Sequence, residues 1–154
     1  MKKIDWTELL IFIVSAELIG AVSALLSGGF GSYLQLVKPP LSPPGWLFPV
    51  VWAILYAVMG ISAYFVYKSD SELKKAGSGI YILQLSVNFL WSIIFFRFGW
   101  LNAAAFAAVL LTVLVGGMIL IFLRIDKKAG LMNIPYFVWC LFASYLAIGT
   151  SILN

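Results

Sequence analysis

Five long apolar stretches, separated by short polar segments, occupy most of the chain. They lie at residues 9–26, 47–67, 80–98, 103–123 and 134–153. A bilayer hydrocarbon core of about 30 Å is crossed by roughly 20 helical residues, so each stretch is long enough to span it. Because lipid offers the backbone no hydrogen-bond partner, such a segment must be helical. The pattern predicts an all-α polytopic membrane protein, a five-transmembrane-helix bundle that forms one domain over residues 1–154.

Composition supports a membrane protein and excludes several kinds of chemistry. Hydrophobic residues make up 63% of the chain and charged residues 10%, whereas soluble domains are about 25% charged. The chain has no histidine, and Cys140 is its single cysteine. We therefore expect no His/Cys metal site, no disulfide within the chain and no histidine-assisted nucleophile. We also expect that the protein requires no cofactor. A haem held by histidine is also excluded, while a weak haem ligand such as Cys140, tyrosine or methionine stays possible.

The basic residues predict how the chain is oriented in the membrane. With five crossings, the N-terminus and the second and fourth loops share one side, and that side holds eight basic residues against two. The eight are Lys2, Lys3, Lys68, Lys74, Lys75, Arg124, Lys127 and Lys128; the two are Lys38 and Arg97. The positive-inside rule then predicts a multi-pass cell-membrane protein with a cytoplasmic N-terminus and an external C-terminus. We expect contact with membrane lipid and none with nucleic acid.

The segment 27–46 between the first two stretches is the longest one without an apolar run, and we predict that residues 28–46 are not helical. It contains Pro39, Pro40, Pro43 and Pro44, which oppose a helix and favour a stiff extended path. One interpretation is a lid over a binding pocket, since long ordered loops tend to carry function. The other is a rigid turn between two helices.

Aromatic and amide side chains form one stripe on each of three predicted helices. The stripes are Phe48, Trp52, Leu55 and Tyr56; then Gln84, Asn88, Trp91 and Phe95; then Pro135, Trp139, Phe142 and Leu146, with Ala143 beside Trp139. Amides inside an apolar helix are costly unless they find a partner, so the second stripe should face protein or a cavity. Each stripe alone is compatible with packing, and together the three predict a pocket for a flat aromatic ligand.

These residues also carry a resemblance to a known family. The segments KPPLSPPGWLFPVVWAILYAVMGISA (38–63), QLSVNFLWSIIFF (84–96) and PYFVWCLFASYL (135–146) resemble the proline-rich loop and the second, third and fifth helices of one family. It is the tryptophan-rich sensory protein/translocator protein family, formerly called peripheral benzodiazepine receptors. The resemblance implies a five-helix bundle, usually a homodimer, that binds tetrapyrroles such as protoporphyrin IX and benzodiazepine-type drugs beneath the first loop.

Family motif positions fall on Trp52, Asn88, Trp91 and Trp139, with Tyr33 and the proline pair of the loop in the lid. Joined to the stripes, they give one set of candidate ligand-binding residues. The set is Tyr33, Pro43, Pro44, Phe48, Trp52, Gln84, Asn88, Trp91, Trp139, Phe142 and Ala143.

The resemblance implies a sensor or regulator of porphyrin metabolism, and two alternatives stay open. One is an enzyme that degrades porphyrin with light and oxygen, in which Trp52 and Trp139 would be the catalytic electron donors. The other is a transporter of porphyrins or lipids. The odd number of helices and the lack of a visible internal repeat argue against the usual inverted-repeat carriers.

Two charged residues lie within apolar stretches. Glu17 is near the middle of the first, where a charge costs about 3 kcal/mol, so it should face protein. It is either a polar pocket group or proton site, or a neutral carboxyl that hydrogen-bonds across a helix or dimer contact. Arg97 is expected to extend to the lipid headgroups.

Small residues recur at every fourth position of the fourth stretch, at Ala104, Ala108, Thr112 and Gly116. Such a ridge lets another helix approach closely. The partner is either a second copy of the chain or another helix of the same chain.

Overall fold

The computed structural model describes residues 3–29 and 31–154, and within these ranges it contains helices and turns but no strand. The α-helices there are α1 (Trp6–Leu26), α2 (Gly31–Gln35), α3 (Leu47–Lys68), α4 (Lys74–Ser92), α5 (Leu101–Ile125), α6 (Lys127–Met132) and α7 (Ile134–Leu153). A π-helical turn, Ile93–Arg97, continues α4. Five helical segments in the described chain are long and apolar enough to cross a membrane, which confirms the predicted bundle: Trp6–Leu26, Leu47–Lys68, Lys74–Arg97, Leu101–Ile125 and Lys127–Leu153.

The helix bounds differ from the prediction at several places. The fourth crossing, α5, extends two residues beyond 103–123 at each end, and the short helix α6 precedes the predicted start of the fifth crossing at residue 134. Three further differences have a local cause. The first helix begins at Trp6, because the Asp5 carboxylate accepts hydrogen bonds from the backbone N–H groups of Thr7 and Glu8 at 3.0 and 3.1 Å. The third crossing begins at Lys74 rather than residue 80, since lysines in a first turn can reach water. The prediction of no helix over 28–46 is wrong at Gly31–Gln35, which precedes the prolines.

Close helix contacts rest on small residues. A Cβ atom added to Gly60 of α3 would lie 2.7 Å from the Cα atom of Ile13, so the backbones of α1 and α3 touch there. Gly20 of α1 makes room in the same way for the ring of Tyr56. Ser23, further along α1, donates a hydrogen bond to the Phe89 carbonyl of α4 at 2.9 Å.

The ridge of small residues on α5 packs within the chain. Ala104 and Ala108 are buried, and the hydroxyls of Thr112 and Ser144 lie 2.9 Å apart between α5 and α7. A Cβ atom on Gly116 would be 3.2 Å from the ring of Phe137, also on α7. Of the two interpretations of the ridge, the structure supports contact with a helix of the same chain.

Candidate functional site

Aromatic rings from α2, α3, α4, the π turn and α7 meet at one end of the bundle. We call this cluster the aromatic chamber; it comprises Tyr33, Phe48, Trp52, Trp91, Phe95, Phe96, Trp139 and Phe142. The ring centroids of Phe48 lie 5.4 Å from Tyr33 and 6.0 Å from Trp139, and those of Trp52 and Trp91 are 6.5 Å apart. The chamber therefore joins the three predicted stripes to the loop.

The π-helical turn brings two consecutive phenylalanines into the chamber. Phe95 and Phe96 are both buried, and their rings meet edge to face with centroids 4.9 Å apart. Turns of this kind are frequent at functional sites because they redirect side chains. The sequence stripe included Phe95 but did not predict the turn.

Tyr33 of α2 fills the chamber from above. Its side chain is 4% exposed, its hydroxyl donates to the Pro43 carbonyl at 3.4 Å, and the Lys38 ammonium lies 4.8 Å above its ring. Burial raises the pKa of the Tyr33 hydroxyl above its usual value near 10. The phenol is therefore neutral at physiological pH.

The loop above the chamber is held by α7. The side-chain amide of Asn154 pairs with both backbone groups of Val37, accepting from its N–H at 3.0 Å and donating to its carbonyl at 2.8 Å. Tyr145 donates to the Pro40 carbonyl at 2.8 Å. Pro39 packs so closely on Gly149 that an added Cβ atom would lie 2.7 Å from it. We call these contacts the loop clasp.

The free space in and beside the chamber is small. A cavity of about 100 Å³ lies between α1, α3 and α4, with Trp52, Asn88 and Trp91 on its wall. A second space of about 10 Å³ lies between Tyr33 and Ala143. Pockets for drug-sized ligands measure roughly 300–1,000 Å³. The chamber in this conformation is closed by its own side chains.

Two tryptophans of the chamber carry unused hydrogen-bond donors. The indole Nε1 atoms of Trp91 and Trp139 are buried, and neither has a hydrogen-bond partner among residues 3–29 and 31–154. A buried donor without a partner costs about 1–3 kcal/mol. Such donors are suited to a ligand that supplies an acceptor.

The two amides of the second stripe belong to a buried polar network. The Asn88 amide donates to the Tyr136 hydroxyl at 3.1 Å, and that hydroxyl donates to the Gln84 carbonyl oxygen at 2.7 Å. The Gln84 amide in turn lies 3.6 Å from the sulfur of Met59. Asn88 is thus shared between this network and the cavity wall, whereas Gln84 is fully buried behind it.

The structure brings most of the candidate residues together. Around the chamber and its cavities lie Tyr33, Phe48, Trp52, Asn88, Trp91, Trp139, Phe142 and Ala143. Pro43 contributes its carbonyl to Tyr33. Pro44 is exposed, and its carbonyl accepts from the backbone N–H of Leu47 at the start of α3. Ligand binding by each of these residues stays a prediction.

The predicted stripe on α7 only partly coincides with the face that the helix buries. Leu146 and Ala143 are buried as predicted, but Pro135 is exposed, Trp139 and Phe142 are half-buried, and the inner face also carries Tyr136 and Cys140. Sequence reasoning missed Tyr136 because hydropathy ranks a tyrosine below the apolar residues around it. The signal in the sequence was that Tyr136 and Cys140 are four residues apart, which puts both on the same face of a helix.

The two charged residues of the apolar stretches both contact protein. Glu17 is half-buried, with its carboxyl close to the backbone of Ala57 on α3. Arg97 donates to the carbonyl of Leu26 at 3.0 Å and so binds the end of α1. The side chain of Arg97 is exposed at that end, with one nitrogen used for this contact. Within the described chain, no three His, Cys, Asp or Glu side chains could share a metal ion.

The fold and the chamber define a multi-pass helical membrane protein with an internal aromatic site. Residues 10–153 match the model of the TspO/MBR family, and the chain belongs to that family. It is 36% identical over 146 residues to protein CrtK of Rhodobacter capsulatus, covering 94% of this chain and 91% of that protein. It is 38% identical over 116 residues to the tryptophan-rich protein TspO of Chlorobaculum tepidum, covering 74% and 73%. The translocator protein of Ovis aries is 34% identical over 128 residues, covering 77% and 72%. The resemblance drawn from the sequence is confirmed.

Proposed function

We propose that the chain binds tetrapyrroles of the protoporphyrin IX type, and benzodiazepine-type drugs, in the aromatic chamber, and that it senses or regulates porphyrin metabolism. The observation that carries the proposal is the pair of unpartnered indole N–H groups of Trp91 and Trp139 within a cluster of rings. Flat ligands gain roughly 0.5–1.5 kcal/mol per aromatic contact beyond the area they bury. A carbonyl oxygen of the ligand, or one of the two porphyrin nitrogens that carry no hydrogen, would accept from the indoles.

Binding requires the chamber to open. The spaces of about 100 and 10 Å³ share Phe48, Trp91 and Phe96 as walls, so rotation of these rings would merge them. Withdrawal of Tyr33 with α2 would add the volume of a phenol ring. The loop clasp limits this movement, because it fixes the segment that follows α2 to α7.

The test is a titration of detergent-purified protein with protoporphyrin IX in the dark, followed by tryptophan fluorescence. Saturable quenching is expected from the unchanged protein. Trp91→Phe and Trp139→Phe each keep a ring and remove one donor, and each should weaken binding by roughly three- to tenfold, the value of one hydrogen bond. Trp100→Phe is the matched control, since Trp100 is 61% exposed and lies outside the chamber. Equal affinities in all three variants would contradict the role of the indoles.

A second candidate function is light- and oxygen-dependent porphyrin degradation. In this reaction Trp52 would give an electron to the light-excited porphyrin, which passes it to oxygen. The ring centroid of Trp52 lies 6.5 Å from that of Trp91, 5.8 Å from that of Tyr56 and 6.1 Å from that of Tyr136, so a neighbouring ring could reduce the oxidised Trp52 and become oxidised in its place. Trp52→Phe and Trp139→Phe proteins loaded with protoporphyrin IX should then lose the light-driven decay of the porphyrin bands. Unchanged decay in both variants would exclude these tryptophans as donors.

We also propose that the N-terminus faces the cytoplasm and the C-terminus the outside of the cell membrane. The proposal is supported by the distribution of lysines: with five crossings, the N-terminus, the α3–α4 turn and the α5–α6 turn share one side, and most lysines belong to these segments. A Cys140→Ser protein with one new cysteine at Ser71 or at Leu41 tests this with a membrane-impermeant maleimide on intact cells. Labelling at Leu41 alone is expected, and labelling at Ser71 alone would reverse the orientation.

A further inference from the structure

A groove lies at the end of the bundle opposite the aromatic chamber. It encloses about 570 Å³ between the start of α1, the end of α3 and the start of α6. We call it the basic groove, and its walls are Lys3, Ile4, Tyr64, Phe65, Lys68, Ser69, Asp70, Asp126, Lys127 and Lys128. The function proposed for the aromatic chamber does not involve the residues at this end of the bundle.

The charge available in the basic groove is positive. The wall carries four lysines and two carboxylates, so its net charge is positive. Both carboxylates also have contacts within the protein: Asp126 accepts from the backbone N–H of Ala129 at 3.0 Å as the cap of α6, and Asp70 has its own contact. Lys68 is paired with Glu8. Lys3, Lys127 and Lys128 are exposed, and within the described chain they form no ion pair.

The other walls of the basic groove are apolar. Phe65 is half-buried, Tyr64 is 2% exposed and presents its ring, and Ile4 is 46% exposed. Three spanning segments begin or end here, so the groove lies at the depth where lipid headgroups meet acyl chains. A groove with lysines at its opening and an apolar wall beneath them is complementary to an amphiphile with an anionic headgroup.

We propose that the basic groove binds the headgroup of an anionic phospholipid. Lys3, Lys127 and Lys128 contact the phosphate, and the first acyl carbons lie against Ile4 and Phe65. Basic pockets between membrane helices on the cytoplasmic side bind anionic headgroups in this way. The orientation proposed above places the groove in that leaflet, and the site is independent of any ligand in the chamber.

The experiment is native mass spectrometry of the protein in neutral detergent with phosphatidylglycerol or phosphatidylcholine. We expect one phosphatidylglycerol to stay bound preferentially. Each neutralised lysine near an anionic lipid weakens binding roughly fivefold, so Lys127→Gln/Lys128→Gln should weaken it about 25-fold. The matched control is Lys74→Gln/Lys75→Gln, which removes two consecutive lysines on the same side that do not line the groove. The control should change affinity less than twofold.

Two further readouts identify the bound chemistry. Ile4→Ser removes an apolar wall and should weaken phosphatidylglycerol binding while leaving competition by glycerol phosphate unchanged. Thermal melting of the lysine variants in detergent checks that they are folded. Equal loss of lipid in both double-lysine variants would overturn the proposal in favour of general electrostatic attraction. Full displacement of the lipid by inorganic phosphate would overturn it in favour of a soluble anion.

Discussion

The polar network and the aromatic chamber are neighbours in the bundle, but they differ in whether their buried polar groups have hydrogen-bond partners. In the network, Tyr136 satisfies the amides of Asn88 and Gln84 at 3.1 and 2.7 Å. In the chamber, the indole N–H groups of Trp91 and Trp139 have no partner among the described residues. Satisfied buried groups rigidify a core, whereas unsatisfied ones cost free energy. The contrast indicates that the network serves the fold, and it supports our proposal that the chamber binds a ligand.

The backbone shows the same contrast. The network lies on regular helices, while the chamber is flanked by the π turn Ile93–Arg97 and by the loop in which Leu41 adopts φ of 67°. A branched residue at positive φ is strained. Strain of this kind is typically held at functional sites by the surrounding structure. Here the loop clasp is the structure that holds it.

Breaking the network should have the largest effect on stability. Tyr136→Phe leaves two buried amides without their shared partner, and we expect it to lower the free energy of unfolding in detergent by about 2 kcal/mol. Tyr67→Phe is the control, since Tyr67 is 46% exposed. Thermal melting of both variants measures the difference. A Tyr136→Phe protein as stable as the control would mean that the network is not structural.

Opening the chamber should change ligand kinetics. Tyr33→Ala removes the ring that fills the space below α2, so a larger fraction of molecules is competent to bind. We expect protoporphyrin IX to associate roughly tenfold faster. Leu34→Ala is the control, because Leu34 is on the same helix and 67% exposed. Stopped-flow quenching measures both rates, and equal rates would show that Tyr33 does not limit entry.

Loosening the loop clasp should have the smallest effect. Asn154→Ala removes both hydrogen bonds to Val37, and we expect association and dissociation each to rise about threefold, with little change in affinity. Asn102→Ala, which removes a contact with Ser151 at the same end of the bundle, is the control. A faster dissociation with an unchanged association rate, and hence a weaker affinity, would instead place Asn154 in ligand contact.

Much of the fold follows from hydropathy, because crossing a bilayer demands long apolar helices. All five crossings are confirmed, and the last one ends at Leu153 as predicted. The short helix Gly31–Gln35 was missed, since five residues carry little periodicity and packing of Tyr33 stabilises them. The start at Lys74 was missed because hydropathy rejects lysines that reach water from the first turn.

The spacing of residues within each helix predicted which side chains meet in the aromatic chamber, but not how they contact one another. The stripes on three predicted helices each contained one tryptophan, and the structure brings these residues, Trp52, Trp91 and Trp139, together around one chamber. The partner of Gln84 and Asn88 was not predictable, because Tyr136 is 52 and 48 residues away along the chain. The π turn and the closure of the chamber likewise depend on contacts between distant segments.

The loop clasp has a consequence for biogenesis. Val37 and Pro40 are held by Asn154 and Tyr145, which are 117 and 105 residues later in the chain. A ribosome completes the loop long before these partners leave the exit tunnel. The loop that covers the chamber can therefore take its final position only after the last helix has inserted.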